Sequence, residues 1–222
     1  MDQAAGVVQL LQELFLIFTS VLFIVDPLAA VPSFLAMTAQ DPPEGRRAMA
    51  RRGAWTCAIT LTAFALGGGL IFKLFGITLG AFKIAGGVLL LITAIDMLRT
   101  RASETRITPG EVESGRGKDD IAIVPLAMPL LAGPGSIATV VVLMARVRAE
   151  RLAHGVIVLA AIALVAALAY LVLAGASRVD RVLGRTGLNI LERASGLLLA
   201  AIAIQFMIDG VGESLPGLLR RV

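Results

Sequence analysis

Two short motifs interrupt long apolar sequence with residue types that open a helix to its surroundings. They are Asp26-Pro27-Leu28-Ala29-Ala30-Val31-Pro32-Ser33 and Pro129-Leu130-Leu131-Ala132-Gly133-Pro134-Gly135-Ser136. Proline has no N–H and its ring clashes with the carbonyl four residues back, so each mid-helix proline frees a backbone acceptor. On that count Pro27 releases the carbonyl of Phe23, Pro32 that of Leu28 and Pro134 that of Leu130. Such carbonyls suit a cation or an ammonium group. In the second motif the glycines permit positive φ, and a helix starting at Ser136 would present N–H groups suited to a carboxylate. Together the two motifs could grip a zwitterion. The predicted substrate-binding residues are Pro27, Ala29, Ala30, Pro32, Ser33, Pro129, Gly133, Pro134, Gly135 and Ser136.

Ionisable residues inside apolar stretches are costly and by default functional. Asp26 stands twelve residues beyond Leu14, about 18 Å into a span that starts there, and is the candidate for coupling a proton or cation. A helix starting earlier, near Ala4, would instead make it a cap at the cytoplasmic surface. Asp96 and Arg193 fall at one depth and are a candidate ion pair, with a solvated helix end as the competing reading. Lys83, Glu192 and Gln205 are secondary candidates, and Gln205 falls level with Lys83. The single His154 and single Cys57 offer no metal-ligand spacing, so no metal is expected. No G-x-S-x-G or H-E-x-x-H element and no nucleotide-binding loop is present, so the expectation is a protein that is not an enzyme and carries no cofactor.

The elements that must hold these residues are membrane helices. The 222 residues are 57% apolar and 16% charged, with mean hydropathy +0.87, well outside the range of soluble domains. A bilayer core takes about 20 apolar residues in a helix. That length recurs at 54–75, 78–98, 121–145, 155–177 and 188–209, and the stretch 14–39 makes a sixth span broken near its middle. The N-terminal run has no cations before the apolar stretch and does not read as a removable signal peptide. Basic residues lie in the joints between spans, with few aromatics among them, which excludes nucleic acid as a partner. Arg46, Arg47, Arg51, Arg52, Arg99, Arg101, Arg106, Arg116, Lys118, Arg178, Arg181 and Arg185 share one side against six cations on the other. Cytoplasmic loops are rich in Lys and Arg, so both termini are expected outside.

The chain also repeats itself. At an offset of 102, P-L-x-A-x-P at 27–32 lies over the same pattern at 129–134; at an offset of 109, Leu79, Ala85, Gly87, Leu90 and Ala94 lie over Leu188, Ala194, Gly196, Leu199 and Ala203. By the same offset Lys83 corresponds to Glu192 and Asp96 to Gln205. An odd number of spans per copy inverts the second copy, the construction of many secondary transporters. The expected fold is a single all-α integral membrane domain of six transmembrane helices. It is read as two inverted three-helix repeats with helices one and four broken: repeat one at about 8–99, a cytoplasmic linker at about 100–120 and repeat two at about 121–212.

The segments DPLAAVPSFLAMT at 26–38, FGITLGAFKIAGGVLLLITAIDML at 75–98 and IAIVPLAMPLLAGPGSIATVV at 121–141 resemble the MarC family of bacterial and archaeal inner-membrane proteins. The resemblance runs from about residue 8 to residue 212. It implies six spans, the cytoplasmic membrane of a prokaryote and grouping with neutral amino acid transporters. The family's first motif commonly has glycine, often followed by asparagine, between its prolines, where this chain has Ala29 and Ala30. The expected function is a secondary transporter of a small neutral solute, most naturally an amino acid such as alanine or glycine, with H+ or Na+ as coupling ion. An ion or small-solute channel is the alternative, and an intramembrane enzyme a third reading. Solute identity, direction and oligomeric state are not legible in the sequence.

Overall fold

A computed structural model describes residues 2–99, 131–145 and 152–219. Among them every regular element is helical: α1 (Asp2–Val25), α2 (Val31–Met37), α3 (Pro43–Phe75), α4 (Leu79–Leu98), α5 (Pro134–Ala145), α6 (Leu152–Ala174) and α7 (Ala176–Leu219). Five of these helices are long and apolar enough to cross a membrane, and α5 is a shorter apolar helix. The expected linker at 100–120 and the first part of the fourth span lie outside the described residues.

Local chemistry sets the joints. Gly76 closes α3 with φ 63°, the left-handed conformation that glycine adopts without strain, and Thr78 Oγ1 accepts the N–H of Ala81 at 3.2 Å to cap α4. A three-residue turn thus reverses the chain. In α7 the backbone leaves helical geometry at Gly184, φ 59° and ψ 178°, which separates a short helical piece from the span Thr186–Leu215. On the spans, Leu66, Leu70, Leu74, Leu171 and Leu197 are exposed. Apolar side chains on the outward face leave little to choose from but hydrocarbon as the surrounding solvent.

The packing is reciprocal. Helix α4 pairs most extensively with α7, and α3 with α6; α2 rests on α7 and α6, while α5 rests on α3 and α4. The α4–α7 pair is antiparallel and close, because glycines stand at its crossing. A Cβ added to Gly87 would meet Ala203 O at 2.7 Å and Met207 Cγ at 2.6 Å, and one added to Gly196 would meet Ala94 O at 3.2 Å and Leu98 Cγ at 3.3 Å. Small residues let membrane helices approach in this way. The main apolar cluster joins Val21, Val25, Val31, Phe34, Leu61, Leu131, Val140 and Val158, and a second gathers Ile24, Leu90, Met97 and Leu199.

Of the two starts weighed for the first helix, the earlier one holds. Helix α1 starts at Asp2 and not near Leu14, so its 24 residues extend about 36 Å and Asp26 lies at its end, not halfway along it.

Candidate functional site

The helices are interrupted at both motifs. At the first, Asp26 takes φ 41°, a left-handed conformation that aspartate tolerates better than most residues. Its N–H still donates to Leu22 O at 2.8 Å, and its Oδ1 accepts the N–H of Ala29 at 3.2 Å. Val31 N–H then donates to Leu28 O at 3.1 Å, so the carbonyl expected to be free opposite Pro32 is paired. Pro32 falls in the first turn of α2, where a missing N–H has no intrahelical use. Ala30 is ordinary right-handed backbone, φ −76° and ψ −18°, and among the described non-glycine residues positive φ occurs at Asp26 and not at Ala29, so neither alanine stands where a glycine is required.

The far end of α2 is held by Arg46. Its Nε donates to Thr38 O at 2.9 Å, Nη2 to Ala39 O at 3.1 Å and Nη1 to Ser177 Oγ at 3.3 Å. One guanidinium therefore serves the terminal carbonyls of the short helix and ties them to the start of α7.

At the second motif Ala132 and Gly133 are non-helical and Pro134 begins α5, two residues earlier than expected. Ser136 Oγ donates to Leu131 O across the interruption at 3.1 Å, Ile137 N–H donates to Gly133 O at 3.0 Å, and Thr139 Oγ1 donates to Gly135 O at 2.9 Å. Gly135 is seated against α4: an added Cβ would collide with Leu90 Cδ2 and would stand 3.8 Å from Ile24 Cγ2. The end of α1 and the start of α5 are thus neighbours. Pro32 and Ser33, by contrast, travel with α2 toward α6 and α7, and Pro32 is exposed. Pro27, Ala30 and Ser136 are buried, Ala29, Ser33, Gly133 and Gly135 are half-buried, and Pro134 is exposed. Pro129 lies outside the described residues.

Charged candidates distribute differently. Lys83 is 1% exposed, and its Nζ pairs with Glu213 Oε1. A buried ammonium needs such a partner, and Glu213 falls past the end of the span the sequence suggested. The signal that could have found it is the glycine register, since an added Cβ at Gly80 would collide with Ser214 and meet Gly210 O at 2.7 Å. Gln205 is not Lys83's partner; its Nε2 donates to Asp209 Oδ1 at 2.7 Å on α7 itself. Asp96, Glu192 and Arg193 stand at the opposite end of the α4–α7 pair, where Gly196 rests on Met97, and none of the three is without a partner. His154 Nδ1 is 3.7 Å from Glu13 Oε2, which sets the start of α6 level with Glu13 on α1. Among the described residues no group of three His, Cys, Asp or Glu is placed to hold a metal ion.

Beside the first interruption lies a cavity of about 310 Å³ whose lining includes Phe23, Asp26, Leu168, Leu191, Ser195 and Leu198. Asp26 itself is 5% exposed. The arrangement presents one carboxyl and one hydroxyl among apolar walls, at a point where backbone is not helical.

The model of the family described as MarC family integral membrane protein matches residues 11–215. A UPF0056 membrane protein of Methanocaldococcus jannaschii is 42% identical over 205 residues, 92% of this chain and 98% of the relative. One from Aquifex aeolicus is 39% identical over 194 residues, 87% and 90% of the two chains. The UPF0056 membrane protein YhcE of Escherichia coli is 34% identical over 205 residues, 92% and 94% of the two chains. No solved structure matches the chain.

Proposed function

We propose that this chain, which belongs to the MarC family of integral membrane proteins, is a secondary transporter and not an enzyme. It moves a small neutral solute, an amino acid such as alanine or glycine, by alternating access between two inverted halves. The observation that carries the reading is the reciprocity of the packing. Each short helix leans on the two long helices of the other half: α2 on α6 and α7, α5 on α3 and α4. At the α4–α7 crossing the contacts themselves repeat. Gly87 faces Ala203 and Met207, and Gly196 faces Ala94 and Leu98; adding 109 to Gly87, Ala94 and Leu98 yields Gly196, Ala203 and Met207. A pseudo-two-fold axis in the membrane plane produces this pattern, and transporters built so bind substrate near the midplane at interrupted helices.

The solute binds between the end of α1 and the start of α5. The first-turn N–H groups of Gly135 and Ser136 take its carboxylate, and Asp26 takes the coupling ion, H+ or Na+. Leu90 fills the place beside Gly135 and must withdraw when solute enters. Burial of Val25, Ala30, Val31, Leu131 and Ala132 at 0 to 1% exposure favours this gated reading over an open channel. The twelve cations on one side favour both termini outside, with 100–120 in the cytoplasm.

Uptake of labelled alanine and glycine into proteoliposomes, with counterflow, tests the function. Saturable uptake stimulated by internal unlabelled substrate is expected; an unsaturable flux without counterflow returns the protein to the channel class. A cysteine at Ser114 in a Cys57→Ala background tests the orientation, because labelling by an impermeant thiol reagent from outside intact cells overturns it.

A further inference from the structure

The chain's single tryptophan and single tyrosine line one crevice. Trp55 on α3 and Tyr170 on α6 stand with Arg51 around a volume of about 360 Å³ whose walls are otherwise alanines, among them Ala58, Ala163 and Ala167. That is at the lower end of the range of about 300–1,000 Å³ for small-molecule sites. The crevice lies between α3 and α6, apart from both helix interruptions and from every residue assigned to the solute. Trp55 is 65% exposed and heads an outward apolar stripe with Ile59 and Leu66, and Ala163 and Ala167 are exposed as well. The crevice therefore opens on the outside of the bundle.

Charge sets its level in the membrane. Residues 53–72 of α3 carry no charged side chain, twenty in a row, which is about the length that spans a bilayer core. Arg51 and Arg52 stand at one border of that run and Trp55 is its third residue. The hydrogen bond from Arg46 Nη1 to Ser177 Oγ at 3.3 Å sets the start of α3 level with the end of α6. Tyr170, seven residues before Ser177, thus comes level with residues 51–55. Tryptophan and tyrosine collect at this depth, where one end of the ring system is apolar and the other wet. Helical side chains lean toward the N-terminus, so Arg51 lays its stem along apolar surface and carries its guanidinium to the headgroups. The crevice joins the headgroup layer to hydrocarbon.

Its occupant must be an amphiphile, and the charges fix the sign of its head. Arg47 and Arg51 are both exposed and stand four residues apart on one face of α3. Among the described residues no hydrogen bond or ion pair engages either guanidinium, and beyond Glu44 neither α3 nor α6 contains a carboxylate. A guanidinium holds a phosphate through two parallel N–H bonds. A zwitterionic headgroup would bring an ammonium beside these arginines, and an anionic one brings none. Below Arg51 the alanine wall continues to Ala58, seven residues or about 10 Å further in, and takes hydrocarbon. A second copy of the chain fits less well, because a two-fold contact here sets Arg51 against its own equivalent. We infer that this crevice is a binding site for an anionic phospholipid, whose phosphate pairs with Arg51 and whose acyl chain lies on Ala58, Ala163 and Ala167 beside Trp55. The site stands whether or not the chain transports an amino acid.

Because Trp55 is the chain's one tryptophan, its fluorescence reports the site directly. The full chain is reconstituted in vesicles of phosphatidylglycerol and phosphatidylcholine at equal mole fractions, with bromine on the acyl chains of one lipid or of the other. Bromine quenches the tryptophan it touches, and exchanging the label leaves the charge of the bilayer unchanged. Quenching is expected to show phosphatidylglycerol bound about fivefold more tightly than phosphatidylcholine, the margin that one arginine gains near anionic lipid. Arg51→Gln should bring that ratio close to one. Arg178→Gln removes an exposed cation outside the crevice and should leave the ratio as it is. Ala163→Leu should lower it by filling the crevice from its exposed side. Equal quenching by the two lipids, or a preference that survives Arg51→Gln or falls as far in Arg178→Gln, overturns the proposal. So does the absence of quenching by either lipid, the result expected if a second copy covers Trp55. Should Arg51→Gln fail to fold, the unaltered chain and Ala163→Leu decide. No solute is present in the measurement and amino acid counterflow is scored separately, so failure of this site and failure of the transport reading are distinguishable.

Discussion

The two helix interruptions solve one problem with opposite chemistry. Breaking a helix leaves N–H groups unpaired on one side and carbonyls on the other. At the first, five residues long, an acceptor repairs the backbone: Asp26 Oδ1 takes the N–H of Ala29. At the second, where Ala132 and Gly133 are non-helical, a donor does so: Ser136 Oγ gives its proton to Leu131 O. The first therefore carries an ionisable group and a neighbouring cavity, and the second is neutral and packed against Leu90. The lesson is that prolines matched at an offset of 102 prescribe where a helix stops without prescribing what stabilises the stop.

Steric change should separate the two most strongly. Gly135→Val forces a branched side chain into Leu90, and overpacking of this kind destabilises by about 1–3 kcal/mol. Its repeat equivalent Ser33 is half-buried on α2, and Ser33→Val should change thermal stability in detergent far less. Leu90→Ala combined with Gly135→Val should recover part of the loss. Equal effects at positions 33 and 135 would break the comparison.

Removal of the bridging groups comes next. Ser136→Ala strands the Leu131 carbonyl in a dry interior, worth about 1–3 kcal/mol. Asp26→Asn keeps an oxygen for the Ala29 N–H and should cost less than about 1 kcal/mol. That same Asn cannot exchange a proton, so gradient-driven accumulation should disappear while exchange continues. Unchanged pH and ion dependence in Asp26→Asn would reduce Asp26 to a turn-forming residue.

The smallest effect concerns the ends of the short helices. Arg46→Ala removes the donors from Thr38 O and Ala39 O, which are part-exposed, and should destabilise by about 1 kcal/mol. Arg46→Lys should restore only part of this, because an ammonium cannot reach both carbonyls and Ser177 in one plane. Protection of the α2 amides from hydrogen exchange measures it, with α5 amides as the internal reference expected to stay unchanged.

Helical class, the positions of most spans and the sites of interruption were legible in the residues. Apolar length against bilayer thickness and the missing N–H of proline are properties of a segment alone. The same local reasoning left the start of α1 open between two positions and freed the carbonyl of Leu28, which the turn re-pairs with Val31. It could not see that Pro32 and Pro134 sit in first turns, since that depends on where the next helix finds support. Lys83 was visible as a buried cation, but Glu213 became its partner only through the antiparallel register of α4 and α7. Gly135 looked like room for a ligand, and Leu90 occupies that room. Composition and backbone chemistry act within a few residues of one another, so sequence alone determined that this is a helical membrane protein interrupted somewhere within residues 26–33 and 129–136. Which side chain answers which across the bundle is decided by the angle and depth at which helices distant in sequence cross, and tertiary structure alone supplies those.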